Sequence, residues 1–403
     1  MLEFVQQHYM LLLIPIISAF VGWFTNFLAV KMMFYPLEFV GIKPIFGWQG
    51  LIPMKRREMA EIEVELVLGK LLSVEDIANR LDPEEITKNI SRRLKQVIRR
   101  IVNDVMREAA PTVWAALPVQ GKNLVYARIE MDIPNVVRKT ISDFQHNVTE
   151  ILDIKELVVT QLVNNPKLIN EIFLQAGAKE FPFIVKSGWY FGFLFGIPTM
   201  VVWYFYPQWY VLPIGGLLVG YITNWIAIKI IFEPKDPVKV GPFTVQGMFL
   251  KRQKEVSRVY SDIIDTKLMN SENIADIVLH GSGSENLLEL IELHVNDAIE
   301  RYVALTQPYF ALGVGSENFY KMKELAAKRL FTDSNKYLSY AYEYANGALR
   351  IGDDLCEKMQ GLTPAEFEGV LRPAYQADEW KLILTGAVLG MAAGFFQIYF
   401  VFV

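Results

Sequence analysis

A fifteen-residue phrase occurs twice in the chain, 198 residues apart. It reads Gly22-Trp-Phe-Thr-Asn-Phe-Leu-Ala-Val-Lys-Met-Met-Phe-Tyr-Pro36 and then Gly220-Tyr-Ile-Thr-Asn-Trp-Ile-Ala-Ile-Lys-Ile-Ile-Phe-Glu-Pro234. Seven positions are identical, and most of the others are apolar in both copies. Each copy closes a long apolar run and places an Asn and a Lys near its end. Such a chain is constrained to build one membrane-embedded unit twice, and the repeated polar residues mark where unusual chemistry would lie.

A bilayer crossing needs about 20 mostly apolar residues. Four segments are long enough, at 9–34, 188–206, 209–232 and 382–403. Tyr206-Pro207-Gln208 joins the middle two as a tight turn. An apolar content of 52% with a mean hydropathy of +0.23 fits a chain that is partly in lipid and partly in water. All 40 Lys and Arg residues fall between Lys31 and Lys186 or between Lys229 and Lys381. Basic residues that flank a span stay on the cytoplasmic side, so the polar segments 35–186 and 233–380 are both expected there. Both termini and the hairpin turn are expected outside. Trp189 and Trp380 then fall at the inner interface, Trp203 and Trp209 at the outer one. The first apolar run has no basic region before it and no clear small-residue cleavage site, and it has a counterpart deep in the chain. It therefore reads as a span rather than a signal peptide.

The repetition extends beyond the phrase. Gly188, Gly192 and Gly196 in the second span recur as Gly386, Gly390 and Gly394 in the fourth. Ser18, Gly22 and Asn26 in the first correspond to Gly216, Gly220 and Asn224 in the third. Small residues at every fourth position let helix backbones approach closely in lipid, where packing rather than hydrophobicity drives association. The polar segments echo each other as well, with Gln49-Gly50 against Gln246-Gly247 and Val102-Asn103-Asp104 against Val295-Asn296-Asp297. Basic clusters follow both Gln-Gly pairs, Lys55-Arg56-Arg57 and Lys251-Arg252 with Lys254. Both halves enter the membrane from the same side, which implies parallel repeats about an axis along the membrane normal. The expected fold class is an all-α polytopic membrane protein with four transmembrane helices and two helical cytoplasmic domains, one per repeat.

Segments 58–110, 135–180, 255–279, 285–305 and 316–360 show helical spacing. Between Ile86 and Met106 the apolar positions Ile86, Ile90, Leu94, Ile98 and Ile101 recur every three or four residues. Arg92, Arg93, Lys95, Arg99 and Arg100 occupy the rest of that helix. They read either as a solvated face or as a contact with anionic headgroups.

The repeated element supplies the candidate site residues, namely Thr25, Asn26, Lys31 and Gln49 with Thr223, Asn224, Lys229 and Gln246. An amide near the end of an apolar span must be hydrogen-bonded. Asn26 and Asn224 are expected either to bond between the two halves or to form a ligand or ion site on the axis. Lys31 and Lys229 are expected to snorkel to headgroups, with gating or substrate contact as the alternative. The loop Leu37–Pro53 is apolar and broken by Gly41, Pro44, Gly47, Gly50 and Pro53. It is expected to lie in the interface or under the bundle, which would make Gln49 and Gln246 fixed polar points near the membrane.

The rest of the chain offers no catalytic constellation. Cys356 is the single cysteine, which excludes an intramolecular disulfide and a multi-cysteine zinc site. His8, His146, His280 and His294 form no metal-ligand spacing. No phosphate-binding loop and no nucleophile–His arrangement is present. A net charge of −4 argues against nucleic acid. No enzyme activity, cofactor or metal is expected.

The doubled phrase, the Gln49-Gly50-Leu-Ile-Pro53 element and the stretch Leu362–Trp380 resemble the bacterial YheB/YjiN membrane-protein family, the domain-of-unknown-function 445 group, most closely its YheB branch. In the second copy Leu250 replaces the Pro53 position. The resemblance implies a bacterial plasma-membrane protein without an established activity, and it carries over no catalytic residue. The sequence supports a membrane-anchored scaffold that binds lipid, self-associates and takes a protein partner on the cytoplasmic side. The alternative is a lipid- or small-solute-handling transporter built on the repeat interface.

Overall fold

The computed structural model describes residues 9–42, 46–66, 71–306, 315–372, 376 and 379–402. Lys43, Pro44 and Ile45 of the aromatic loop lie outside the described residues, as do parts of the Leu362–Trp380 stretch. The helices used below are α1 (Leu13–Phe34), α2 (Pro83–Ala109), α3 (Val119–His146), α4 (Pro166–Ala176), α5 (Glu180–Phe205), α6 (Val211–Phe232), α7 (Gln253–Ile263), α8 (Ser284–Thr306), α9 (Ser316–Thr332) and α10 (Glu379–Gln397). The described residues are mainly helical, with four short strands. Helices at Met10–Phe34, Glu180–Phe205, Val211–Phe232 and Glu379–Phe400 are long and apolar enough to cross a membrane.

The chain forms two compact units. The first comprises residues 1–66, 161–263 and 355–403, and the second residues 67–160 and 264–354. This division differs from the expected one helical domain per repeat, 35–186 and 233–380. The cause lies in α2. Its apolar stripe Ile86, Ile90, Leu94, Val97, Ile101 and Val105 is buried together with Met322, Tyr337 and Ala341 from the second half of the sequence. The segments flanking the apolar helices pack with those helices instead.

In the first unit, α1 packs most extensively on α5, and α6 on α10. Glycine makes these contacts possible. A Cβ placed on Gly22 or on Gly188 would collide with the backbone carbonyl of the other. Gly220 with Gly386, and Gly216 with Gly390, face each other in the same way. Two turns along α5 from Gly188, a Cβ on Gly196 would lie 2.7 Å from Pro15 Cα. Backbones at this distance gain dispersion contacts that no larger residue allows.

α1 and α6 end alike. Tyr35 and Glu233 turn extended (φ −136°, ψ 152° and φ −123°, ψ 144°) because the next residue is proline, which disfavours helix before it. Their amides still bond to the carbonyls of Lys31 at 2.9 Å and Lys229 at 2.7 Å. Antiparallel hairpins follow where the sequence suggested only a broken apolar loop. β1 (Val40–Ile42) pairs with β2 (Phe46–Trp48) in the register Val40↔Trp48 and Ile42↔Phe46. β3 (Val238–Val240) pairs with β4 (Phe243–Val245) as Val238↔Val245 and Val240↔Phe243. Strands of three residues lie below the length at which alternation can be read. The legible signal was glycine at Gly41 (φ 138°) and Gly241 (φ 57°), where other residues would be strained.

In the second unit, Asp82 caps α2 by accepting the Glu84 amide at 2.8 Å, with Pro83 at the first helical position. α2 packs on α3 and α9, and α8 on α3 and α9. These four helices line an apolar cavity of about 620 Å³ that is open to solvent on one side.

Replacing Gly188 or Gly386 by alanine should destabilise the protein by about 1–3 kcal/mol through overpacking. Gly347→Ala, at a helical site with open space around it, should be neutral or slightly stabilising. Unfolding curves in lipid or detergent check this, and equal effects at all three sites would contradict the close-contact account.

Candidate functional site

Of the repeated polar residues, Thr25 with Asn26 and Thr223 with Asn224 lie where α1 crosses α5 and where α6 crosses α10. Asn26 is fully buried, and its Nδ2 donates to Ile184 O at 2.6 Å. Asn224 donates from Nδ2 to Leu382 O at 2.9 Å. Donor and acceptor are both displaced by 198 residues between the two bonds. Each amide lies against the glycine contact, since a Cβ on Gly188 would lie 2.8 Å from Asn26 Nδ2. Thr25 and Thr223 turn their hydroxyls back to Gly22 O (3.1 Å) and Gly220 O (3.4 Å) within their own helices. The expected bond between the two halves is therefore replaced by a bond within each half. The geometric reason is that the Asn lies one turn beyond the Gly at which the paired helix comes closest.

Asn26 Oδ1 and Asn224 Oδ1 are buried without a hydrogen-bond partner among the described residues. Asn224 also lines an apolar cavity of about 60 Å³ together with Ala29, Met33, Phe181, Ile228 and Leu382, at the helix ends where Glu180 and Glu379 lie.

Lys31 and Lys229 are exposed. Each ammonium lies over an aromatic ring one turn back, Phe27 at 5.5 Å and Trp225 at 4.9 Å, and Lys229 also pairs with Glu233 at 3.1 Å. Neither approaches the amides. Gln49 and Gln246 brace the turns after the spans by donating to Leu37 O (2.7 Å) and Lys235 O (3.0 Å). The adjoining glycines complete this brace, as Gly50 N bonds to Pro36 O at 2.9 Å and Gly247 N to Pro234 O at 3.0 Å. A Cβ on either glycine would meet backbone atoms at 2.7 Å. Leu250 is buried as Pro53 is, so the departure at that position leaves the local geometry alike.

Sequence reasoning missed the groups that anchor the polar ends of the apolar helices. Asn170 on α4 donates to Phe34 O at 2.6 Å, closing the end of α1. Arg252 Nη1 lies 2.7 and 2.6 Å from the two oxygens of Glu180, a carboxylate only 2% exposed at the start of α5. The same guanidinium holds Glu255 at 2.9 Å, and Lys179 approaches Glu255 at 2.8 Å. Hydrogen bonds from Arg252 and then Lys179 hold the Glu255 carboxyl down at about 2. In the second half, Lys235 pairs with the buried Glu368 at 2.7 Å, and Arg372 bonds Glu368 and, at 3.4 Å, Glu379 while stacking 5.1 Å over Phe232. Burial would raise the Glu368 carboxyl, but the hydrogen bonds from Lys235 and Arg372 outweigh it and lower it. The available signals were weak. Arg252 lay within a noted basic cluster, and Glu180 is the last acid before an apolar run.

Residues 16–123 match a family model described as a protein of unknown function, DUF445. The chain is also similar to several proteins named UPF0754 membrane protein. One from Exiguobacterium sibiricum is 36% identical over 125 residues, which is 30% of this chain and 33% of the relative. One from Microcystis aeruginosa is 32% identical over 109 residues, 26% of each. One from Bacillus cytotoxicus is 23% identical over 175 residues, 41% of this chain and 45% of the relative. The matched stretches thus span between a quarter and a half of these relatives' length. No solved structure matches the chain. The resemblance to the domain-of-unknown-function 445 group holds, without singling out the YheB branch, and the chain is a membrane protein.

Arg252→Ala leaves the Glu180 carboxylate buried without its cation and should destabilise the protein by about 3–5 kcal/mol, with Arg252→Lys in between. Because Glu255 is held below its ordinary value of 4.5, its contribution is full above that pH and is lost as pH falls toward about 2. Thermal unfolding across that window should show a steeper acid loss in the wild type than in Arg252→Ala. Identical profiles would contradict the assignment.

Proposed function

We propose that the chain is a non-enzymatic, membrane-anchored scaffold of the bacterial plasma membrane, in which an internally duplicated four-span anchor carries helical mass at the cytoplasmic face and self-associates. The observation that carries this reading is the use made of the polar groups within the spans. Both amides donate across a helix contact and both threonine hydroxyls bond their own helices. Residues 9–30, 187–228 and 382–402 contain no Asp, Glu, Lys or Arg. Coupled transporters place ionisable groups at such depth, so the anchor reading outranks the lipid- or solute-transport reading.

The paired contacts offset by 198 residues support two parallel repeats, and the confinement of Lys and Arg to two segments supports their common cytoplasmic side. Apolar side chains such as Phe20, Phe24, Trp225 and Phe396 are exposed on the spans and fit lipid or a second copy. Val40 and Ile42 on the first hairpin, 64% and 77% exposed, fit an interfacial position next to the end of α1. A protein partner on the cytoplasmic side completes the reading.

Cys356 is buried, so a Cys356→Ser background accepts reporter cysteines at the exposed Lys95 and Lys328. Both should react with an impermeant maleimide only after the cells are opened, and the protein in nanodiscs should cross-link and register by mass photometry above the monomer mass. Reaction of the two cysteines on opposite sides, or a strict monomer without a co-purifying partner, would contradict the proposal.

A further inference from the structure

The cavity of about 620 Å³ in the second unit is lined by α2, α3, α8 and α9. Its walls include Leu94, Ile101 and Met106 on α2, Ile133 on α3, Val295 on α8 and Met322 on α9. Most of these are under 8% exposed and yet face the same space. Trp114 also lines it, but its indole N–H is already donated to Asn103 Oδ1 at 2.9 Å. The walls thus select an apolar occupant. Ligand cavities run to about 300–1,000 Å³, and an apolar cavity of about 150 Å³ stays dry and holds one benzene. Four times that space suits a single long hydrocarbon chain.

The exposed lining residues, Arg128, Met131, Asn135 and Arg301, mark the mouth. Arg301 is neutralised there by Asp132 at 3.1 Å and Asp297 at 2.9 Å. Arg128 is exposed and has no ion-pair partner among the described residues. The rim therefore carries one uncommitted cation beside an apolar interior, which is the complement of an anionic amphiphile.

We propose that this cavity binds one long aliphatic chain bearing an anionic head, with the chain among α2, α3, α8 and α9 and the head at Arg128. Two sources share that chemistry, free fatty acids and anionic single-chain lysolipids. The site is independent of the scaffold reading, which places nothing in this cavity.

The test uses the full chain in phosphatidylcholine nanodiscs and photoreactive diazirine probes, with cross-links mapped by peptide mass spectrometry. The probes are diazirine palmitate, diazirine lysophosphatidylglycerol and a two-chain diazirine phosphatidylcholine. Palmitate, lysophosphatidylglycerol or both should label peptides of α2 and α8, and the probe that labels identifies the source. Unlabelled palmitate in excess should abolish that labelling. Ala298→Trp, which fills the cavity from α8, should reduce it about tenfold, and Arg128→Gln should reduce it several-fold, while labelling of α1 by probe dissolved in the bilayer stays constant. Labelling confined to α1, α5, α6 and α10, labelling of α2 and α8 by the two-chain probe alone, or no reduction in Arg128→Gln would overturn the proposal. Should Ala298→Trp lose its helical circular dichroism, Arg128→Gln decides alone, since its side chain lies at the exposed rim.

Discussion

A side-chain amide that donates to a backbone carbonyl across a glycine contact is the interaction on which the first unit depends. Asn26 to Ile184 and Asn224 to Leu382 are the same bond at two places in the chain. Between helices in lipid the hydrophobic effect gives no net attraction, so association rests on close packing and on polar groups that have nowhere else to bond. Glycine supplies the first and asparagine the second. Neither works alone, because the amide reaches the opposite carbonyl only where the absence of a Cβ lets the backbones meet.

The structure around the four apolar helices follows from this. α1 and α6 each end two residues before a proline, and each is held at that end by a bonded Gln–Gly turn and a two-stranded hairpin. Charged groups then secure the polar ends. Arg252 clamps Glu180 at the start of α5, and Lys235 with Arg372 surrounds Glu368 near Glu379 at the start of α10. These pairs differ between the two halves, whereas the Asn–Gly contact does not. The shared element is thus the one buried between the apolar helices, and the charged pairs at their polar ends are not shared.

The sequence made the four apolar helices, the glycine faces and the amides legible because each depends on local periodicity or on a repeated word. It misjudged the partner of Asn26, since a repeat shows that two residues are equivalent but not which helix each one meets. It missed the hairpins because three-residue strands leave no period to detect. The bond between Arg252 and Glu180 spans 72 residues, and no local pattern encodes such a distance. One domain per repeat was a natural inference from length. The α2 stripe, however, needs Met322 and Tyr337 to cover it, and a stripe in the sequence does not say who covers it. The apolar cavity beneath that stripe was invisible for the same reason.

The central claim is that the two amides hold helix pairs together rather than bind a ligand. It is tested most directly by the unfolding free energy in lipid of Asn26→Leu, Asn224→Leu and the double variant. The account predicts a loss of about 0.6–1.7 kcal/mol for each and a larger loss in the double variant. Unchanged stability in both single variants would contradict it.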